Sequence, residues 1–196
     1  MAAFVEPPAV DAAAQALFDR DVEQIGFVMN ASRVWSHQPD AVLRLFELLG
    51  DVRTEAELSM RDMGILIAAT ASTLGDSYCS LAWGMKLAER SDADTAAAVL
   101  TGDDDGLTAA EAALAAWARR VVADPNATTE ADVQQLRDLG YSDRQVFAAT
   151  VIVGLRLAYS TINDALGATP DEELLEIVPE AVQQAVTFGR PVDGGV

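Results

Sequence analysis

The run Ile65-Leu66-Ile67-Ala68-Ala69-Thr70-Ala71, without a single charge, constrains the fold of this chain more than any other feature. Ser59 and Asp62 stand ahead of it as a helix-capping pair, and Gly75 stands where a helix ends in a left-handed conformation. A helix here is apolar all round, so other elements must cover most of its sides. No stretch shows sustained period-two alternation rich in Val, Ile and Thr, so the covering elements are helices as well. The chain reads as all-α. Abundant Ala and only 6% aromatic residues suit helices that approach closely through small side chains.

The remaining boundaries follow from caps and breakers. Pro7 and Pro8 mark residues 1–10 as a flexible arm; one helical domain is expected over 11–188 and a polar tail over 189–196. Asp11 caps a helix with Ala14, Leu17 and Phe18 at helical spacing, continuing through Val22, Ile25 and Val28. Pro39-Asp40 opens a helix that Gly50 stops. Asp76 caps the next, which carries Cys79, Leu81, Ala82, Met85 and Leu87. Residues 91–98 form a short helical piece and 101–106 a loop. Thr108 and Glu111 form a capping box that opens a helix over 112–122, broken at Asp124-Pro125-Asn126. A helix over 129–139 follows, Ser142 caps a long apolar one to about Leu166, and Pro170 opens the last. The Leu-Ser/Thr-x-x-acid helix start occurs at Leu58 and again at Leu107, which hints at an internal helical repeat.

Charge and composition exclude several function classes. Thirty-one acidic against 13 basic residues give a net charge of −18, which repels phosphate backbones and anionic membranes. Neither nucleic acid nor a membrane is an expected partner. Residues 1–10 lack the basic start and apolar run of a signal peptide. The most apolar stretch, residues 146–159, is interrupted by Thr150, Gly154 and Arg156 and is too short to span a bilayer. A soluble cytoplasmic protein is expected. Cys79 is the only cysteine, so no intramolecular disulfide can form. His37 is the only histidine, so no multi-His metal site exists. In the 101–106 loop Asp103, Asp105 and Gly106 have calcium-loop spacing, but Ala112 stands where a bidentate Glu is needed, and the loop reads as an exposed acidic turn. No phosphate-binding glycine loop or Ser-His-Asp set is present, and no metal or cofactor is expected.

Leu58-Ser59 with Arg61, then Gly75, then Tyr78-Cys79 resemble the active-site segment of the alkylhydroperoxidase D / carboxymuconolactone decarboxylase superfamily. Downstream, Leu107-Thr108-Ala109-Ala110-Glu111, Asp124-Pro125, Asp132-Val133, Leu139-Gly140-Tyr141-Ser142-Asp143 and Asn163-Asp164-Ala165-Leu166-Gly167 follow the cadence of its peroxidase-related branch. Upstream, Ser36-His37-Gln38-Pro39 is similar to its His-x-Pro helix entrance. The resemblance implies an AhpD-like helical bundle and a homo-oligomer, trimer or hexamer. Redox members of the superfamily carry a Glu, a Cys-x-x-Cys pair and a His in a fixed frame. In this chain Gly64 takes the Glu position, Asp76 the first Cys, and Trp83 the His, while Cys79 keeps the second Cys. Gly64 and Trp83 cannot relay a proton to a thiol, and Asp76 cannot form a disulfide. A dithiol cycle within one chain is therefore unavailable.

What Cys79 does alone depends on two opposed effects. Its place in the first turn of a helix favours thiolate through the helix dipole, whereas the carboxylate of Asp76 opposes it. No Lys or Arg lies within four residues of Cys79 in sequence, so strong activation is not expected. Three functions stay open. Cys79 can act as a one-cysteine peroxidase, with a small hydroperoxide as oxidant and an external thiol as reductant, Asp76 and Trp83 shaping the pocket. The chain can instead be a non-catalytic binder of a small apolar ligand, or an oligomeric scaffold, with Trp83 as a pocket wall. Cysteine-independent decarboxylase or lactone chemistry would rest on Asp76 alone.

Overall fold

The computed structural model describes residues 3–192; the ends of the expected arm and tail, residues 1–2 and 193–196, lie outside the described residues. The helices run α1 Ala12–Ile25, α2 Asn30–Trp35, α3 Pro39–Glu55, α4 Met60–Leu74, α5 Ser77–Ala88, α6 Ala93–Thr101, α7 Ala109–Ala123, α8 Glu130–Asp138, α9 Asp143–Ala165, α10 Leu174–Ile177 and α11 Glu180–Ala185. A single 3-10 turn, Pro125–Ala127, separates α7 from α8. There is no strand among the described residues.

The charge-free run lies in α4, where every residue from Met63 to Ala71 is buried. α5, α6, α7 and α9 pack around it. The one hydroxyl in the run, Thr70, donates to Leu66 O at 2.7 Å, so nothing polar is stranded. The start of α4 is a capping box: Ser59 Oγ accepts from Asp62 N at 3.0 Å and Asp62 Oδ2 accepts from Ser59 N at 2.9 Å. The matching start of α7 at Thr108 and Glu111 lies beside it, and Arg61 Nε donates to Glu111 Oε1 at 2.5 Å.

Four boundaries differ from expectation, each for a local reason. α1 ends at Ile25 rather than running to Val28, because Gly26 adopts φ 90° and returns its N–H to Val22 O. α3 passes through Gly50 to Glu55; a glycine inside a helix costs only about 1 kcal/mol, and buried Leu49 with half-buried Val52 on either side offsets it. The last helix is two short pieces, because Pro179 holds Val178 extended between them. α2 arises from residues in which no boundary signal was read, and three of its residues, Ala31, Val34 and Trp35, belong to the core.

Two clamps hold the start of α5. Tyr78 donates its hydroxyl to one carboxylate oxygen of Asp171 and accepts from Ala31 N at 3.2 Å; the other carboxylate oxygen accepts from Asn30 N at 2.8 Å. Ser77 Oγ donates to Arg190 O at 2.6 Å, and Arg190 in turn donates to Asp164 O at 2.9 Å. The guanidinium of Arg190 stacks 4.8 Å from the ring of Phe4, whose N–H donates to Leu166 O. Residues from both end segments thus meet behind α5.

Truncating Leu66, fully buried in α4, to Ala should lower the unfolding free energy by roughly 3 kcal/mol, measured by urea denaturation. Stability should also rise on mild acidification. Burial raises Asp171 from its ordinary value to about 6, and burial with the nearby Asp76 raises Asp164 to about 6. In both cases the folded state holds its proton more tightly than the unfolded chain. Their contribution is therefore fully present only below the ordinary carboxylate range and is lost as pH rises through about 6. The carboxylates held low by caps and ion pairs, such as Glu111 and Asp132, weaken only below that range. Tm at pH 5 should exceed Tm at pH 8; the reverse order would contradict this account of the two carboxylates.

Candidate functional site

Cys79 enters the first turn of α5 because Asp76 caps that helix: Asp76 Oδ1 accepts from Cys79 N at 2.9 Å. The side chain points toward α9, where Arg156, Tyr159, Ser160 and Asn163 share one face at helical spacing. Arg156 Nη2 donates to Cys79 Sγ at 3.0 Å, and Ser160 Oγ lies 3.5 Å from the same sulfur. Arg156 is only 3% exposed, yet no carboxylate lies within ion-pair distance of it among the described residues.

The thiol is pulled in two directions. Burial pushes it up to about 12, Arg156 pulls it down, and Asp76 pushes it up again. Removal from water wins, so the proton stays on sulfur. The helix-dipole argument from sequence is thus outweighed by desolvation, and the absence of strong activation follows from burial first and from Asp76 second.

Cys79 sits in the wall of a cavity of about 300 Å³. Phe46, Tyr78, Trp83 and Tyr159 are the aromatic side chains that line that cavity, and Trp35 backs Tyr159. Trp35 stacks on Tyr159 at 5.5 Å, and Phe46 tilts against Tyr159 at 5.3 Å. Trp83 faces two cations, with Lys86 Nζ 4.8 Å and Arg156 Cζ 5.6 Å from its ring centre. Met60 and Met63 add apolar wall, and Arg20, Arg53 and Asp21 add charged wall. Burial, and then the charge of Arg156, lowers the Lys86 ammonium from its ordinary value.

The four positions of the superfamily frame separate in space. Cys79 and Trp83 both line the cavity. Asp76 is fully buried behind the first turn of α5 and is not part of the cavity wall; its Oδ2 has no hydrogen-bond partner among the described residues. Gly64 lies on the opposite contact, between α4 and α5, where a Cβ would meet Leu87 Cδ1 at 3.3 Å. It also is not part of the wall; Met60 and Met63 supply that stretch of it. His37 is exposed and its Nε2 lies 3.1 Å from Glu6 O, remote from Cys79 in contacts. In the 101–106 loop, Asp104 pairs with Arg119 at 2.6 Å. Among the described residues no cluster of three or more His, Cys, Asp or Glu is placed to hold a metal.

Arg156, Lys86, Arg20, Arg53 and Asn163 were not read as site residues from sequence. A signal existed for Arg156. It is the one charge within the apolar stretch 146–159, and a lone Arg there must either reach solvent or meet a polar partner. α9 is long and apolar enough, by length and composition alone, to cross a membrane; here it packs against α3, α4 and α7.

No family model and no curated protein matches the chain. Solved structures do. An AhpD-core, uncharacterised peroxidase-related protein from Ralstonia eutropha JMP134 superposes with a TM-score of 0.80 at 20% identity, covering 92% of this chain and 99% of that one. An uncharacterised peroxidase-related protein from Silicibacter sp. TM1040 gives 0.79 at 18% identity, covering 88% and 94%. The debrominase Bmp8, as a cysteine-to-alanine variant in complex with 2,3,4-tribromopyrrole, gives 0.70 at 16% identity, covering 93% and 95%. The helix order, the central apolar α4 and these superpositions together establish that the chain has the AhpD-like fold.

Proposed function

We propose that this protein is a one-cysteine thiol oxidoreductase in which Cys79 reduces a small hydroperoxide held in the 300 Å³ cavity. The observation that carries the reading is the guanidinium of Arg156, 3.0 Å from the sulfur inside a cavity large enough for a small molecule. The sulfur attacks the distal peroxide oxygen, the O–O bond breaks, and the thiol proton leaves with the alcohol. Cys79 becomes a sulfenic acid. One equivalent of an external thiol then forms a mixed disulfide and releases water; a second restores Cys79 and leaves as the disulfide. Arg156 stabilises negative charge as it develops on sulfur and on the departing oxygen. The fold neighbours described as peroxidase-related support the reaction class, and the bromopyrrole complex of the debrominase supports a cavity that accepts a compact ring.

A second reading, a non-catalytic ligand-binding protein, is favoured by the raised thiol and by Trp83 in place of a base. Decarboxylase or lactone chemistry loses its acid–base group, because Asp76 is buried outside the cavity wall. A homo-oligomer, trimer or hexamer, fits the outer face of α9, where Phe147, Val151, Gly154, Ala158 and Ile162 form an exposed or half-exposed apolar stripe. A cytoplasmic setting accords with a reduced single thiol.

Sulfenic acid trapping with intact-mass readout tests the chemistry. Oxidation by an organic hydroperoxide should outpace free cysteine, vanish in Cys79→Ser, and slow at least about 10-fold in Arg156→Met. Because the thiol is raised to about 12, the rate should climb about tenfold per pH unit between 7 and 10. Oxidation no faster than free cysteine, and indifferent to Arg156, would leave the binding reading standing. For the assembly, light scattering should give a multiple of the chain mass, and Phe147→Asp should reduce it to the monomer.

A further inference from the structure

Elsewhere on the molecule five arginines are held by carboxylates. Arg61, Arg119, Arg120, Arg137 and Arg144 each pair with an Asp or Glu. The cavity beside Cys79 is arranged differently. Arg20, Arg53, Lys86 and Arg156 all line it, and Asp21 is the one carboxylate among its lining residues. None of the four cations has a carboxylate within ion-pair distance among the described residues. In a chain of net charge −18 this gathers four of the 13 basic residues around one cavity.

Two buried donors in the same wall are also unsatisfied. Arg156 spends Nη2 on Cys79 Sγ, but its Nε has no partner. Asn163 accepts from Trp35 Nε1 at 2.9 Å through Oδ1, which leaves Nδ2 without an acceptor. Both residues are within a few per cent of complete burial. A buried N–H without an acceptor is costly, and a buried cation without a counter-charge more so. Asp21 does not relieve this, since one of its oxygens is occupied by Met29 N. Trp83, Tyr159 and Phe46 add aromatic faces to the same wall.

We infer that the cavity beside Cys79 binds a planar organic carboxylate, its anionic group taken by Arg156 and Asn163 and its ring by the aromatic wall. The inference rests on this cavity being the substrate site proposed above, and it names the substrate class: an aryl or conjugated acid, so that any hydroperoxide reduced there carries a carboxylate as well. Arg156 then serves both the sulfur and the ligand. Lys86, Arg20 and Arg53 contribute long-range attraction at the cavity wall, where an anion offsets their mutual repulsion.

The test uses the full chain with Cys79→Ser, which removes thiol chemistry and retains the cavity. Tryptophan emission and calorimetry follow titration with benzoate and with benzamide, its neutral counterpart of similar shape. Benzoate should bind at least tenfold more tightly than benzamide. That preference should fall to within about threefold in Arg156→Met; should that variant fail to fold, Lys86→Met should still lower the preference at least about threefold, and an unchanged preference there overturns the inference. In the unsubstituted protein benzoate should slow alkylation of Cys79, whereas benzamide at equal concentration should not. Equal binding of the two probes, or no binding of either, overturns the inference. Benzoate preference in a protein whose Cys79 is not oxidised faster than free cysteine upholds it while removing the peroxidase reading.

Discussion

Everything in this structure depends on one helix that has no side fit for water. α4 is buried from Met63 to Ala71, so α5, α6, α7 and α9 have to close around it. Hydrophobic burial of this kind is non-directional, and the directions come from the ends. A capping box fixes where α4 starts, and Gly75 at φ 83° turns the chain straight into α5. Once α5 and α9 lie on the same central helix, Cys79 and Arg156 meet although 77 residues separate them in sequence. The site is a by-product of covering α4, and its precision is that of the packing.

The central chemical tension is between burial and charge. A thiol removed from water prefers its proton, and a guanidinium at 3.0 Å prefers the thiolate. Both groups are buried, so neither preference is screened by solvent. The resting balance favours the protonated form. The packing that brings Arg156 against the sulfur is thus the same packing that withholds water from it. A cation with an unsatisfied Nε is the part of the wall that responds most strongly to a ligand.

Much of the fold was legible, because it is written in local signals. Ser59 with Asp62, Thr108 with Glu111 and Ser142 capping α9 all mark helix starts where the structure has them. Legibility failed where a local signal was overruled or overlooked. Gly50 was read as a stop, but tertiary packing of Leu49 carries α3 past it. Pro179 was passed over and splits the last segment. In the site, Cys79 and Trp83 stand out through the family resemblance, and both line the cavity. The cations were invisible for a different reason. Arg20, Arg53 and Arg156 come from α1, α3 and α9, and only the packing of those helices brings them together. Sequence proximity said that Cys79 has no basic neighbour, which is true along the chain and false in space.

The contact between Gly64 and Leu87 has an evolutionary consequence. A first side-chain carbon at position 64 lies 3.3 Å from Leu87 Cδ1 and 3.5 Å from Leu87 Cα, so even a methyl group needs Leu87 to yield, and a glutamate needs far more. Asp76 is equally committed, since its carboxylate holds the first turn that presents Cys79. The superfamily's dithiol relay therefore cannot be written onto this chain one residue at a time. A glutamate placed at position 64 first disturbs the α4–α5 packing, and shrinking Leu87 first opens a void in a fully buried position. Position 64 and Leu87 thus constrain each other, and the freedom to vary this chain lies in the cavity wall around Arg156 rather than in the α4–α5 contact.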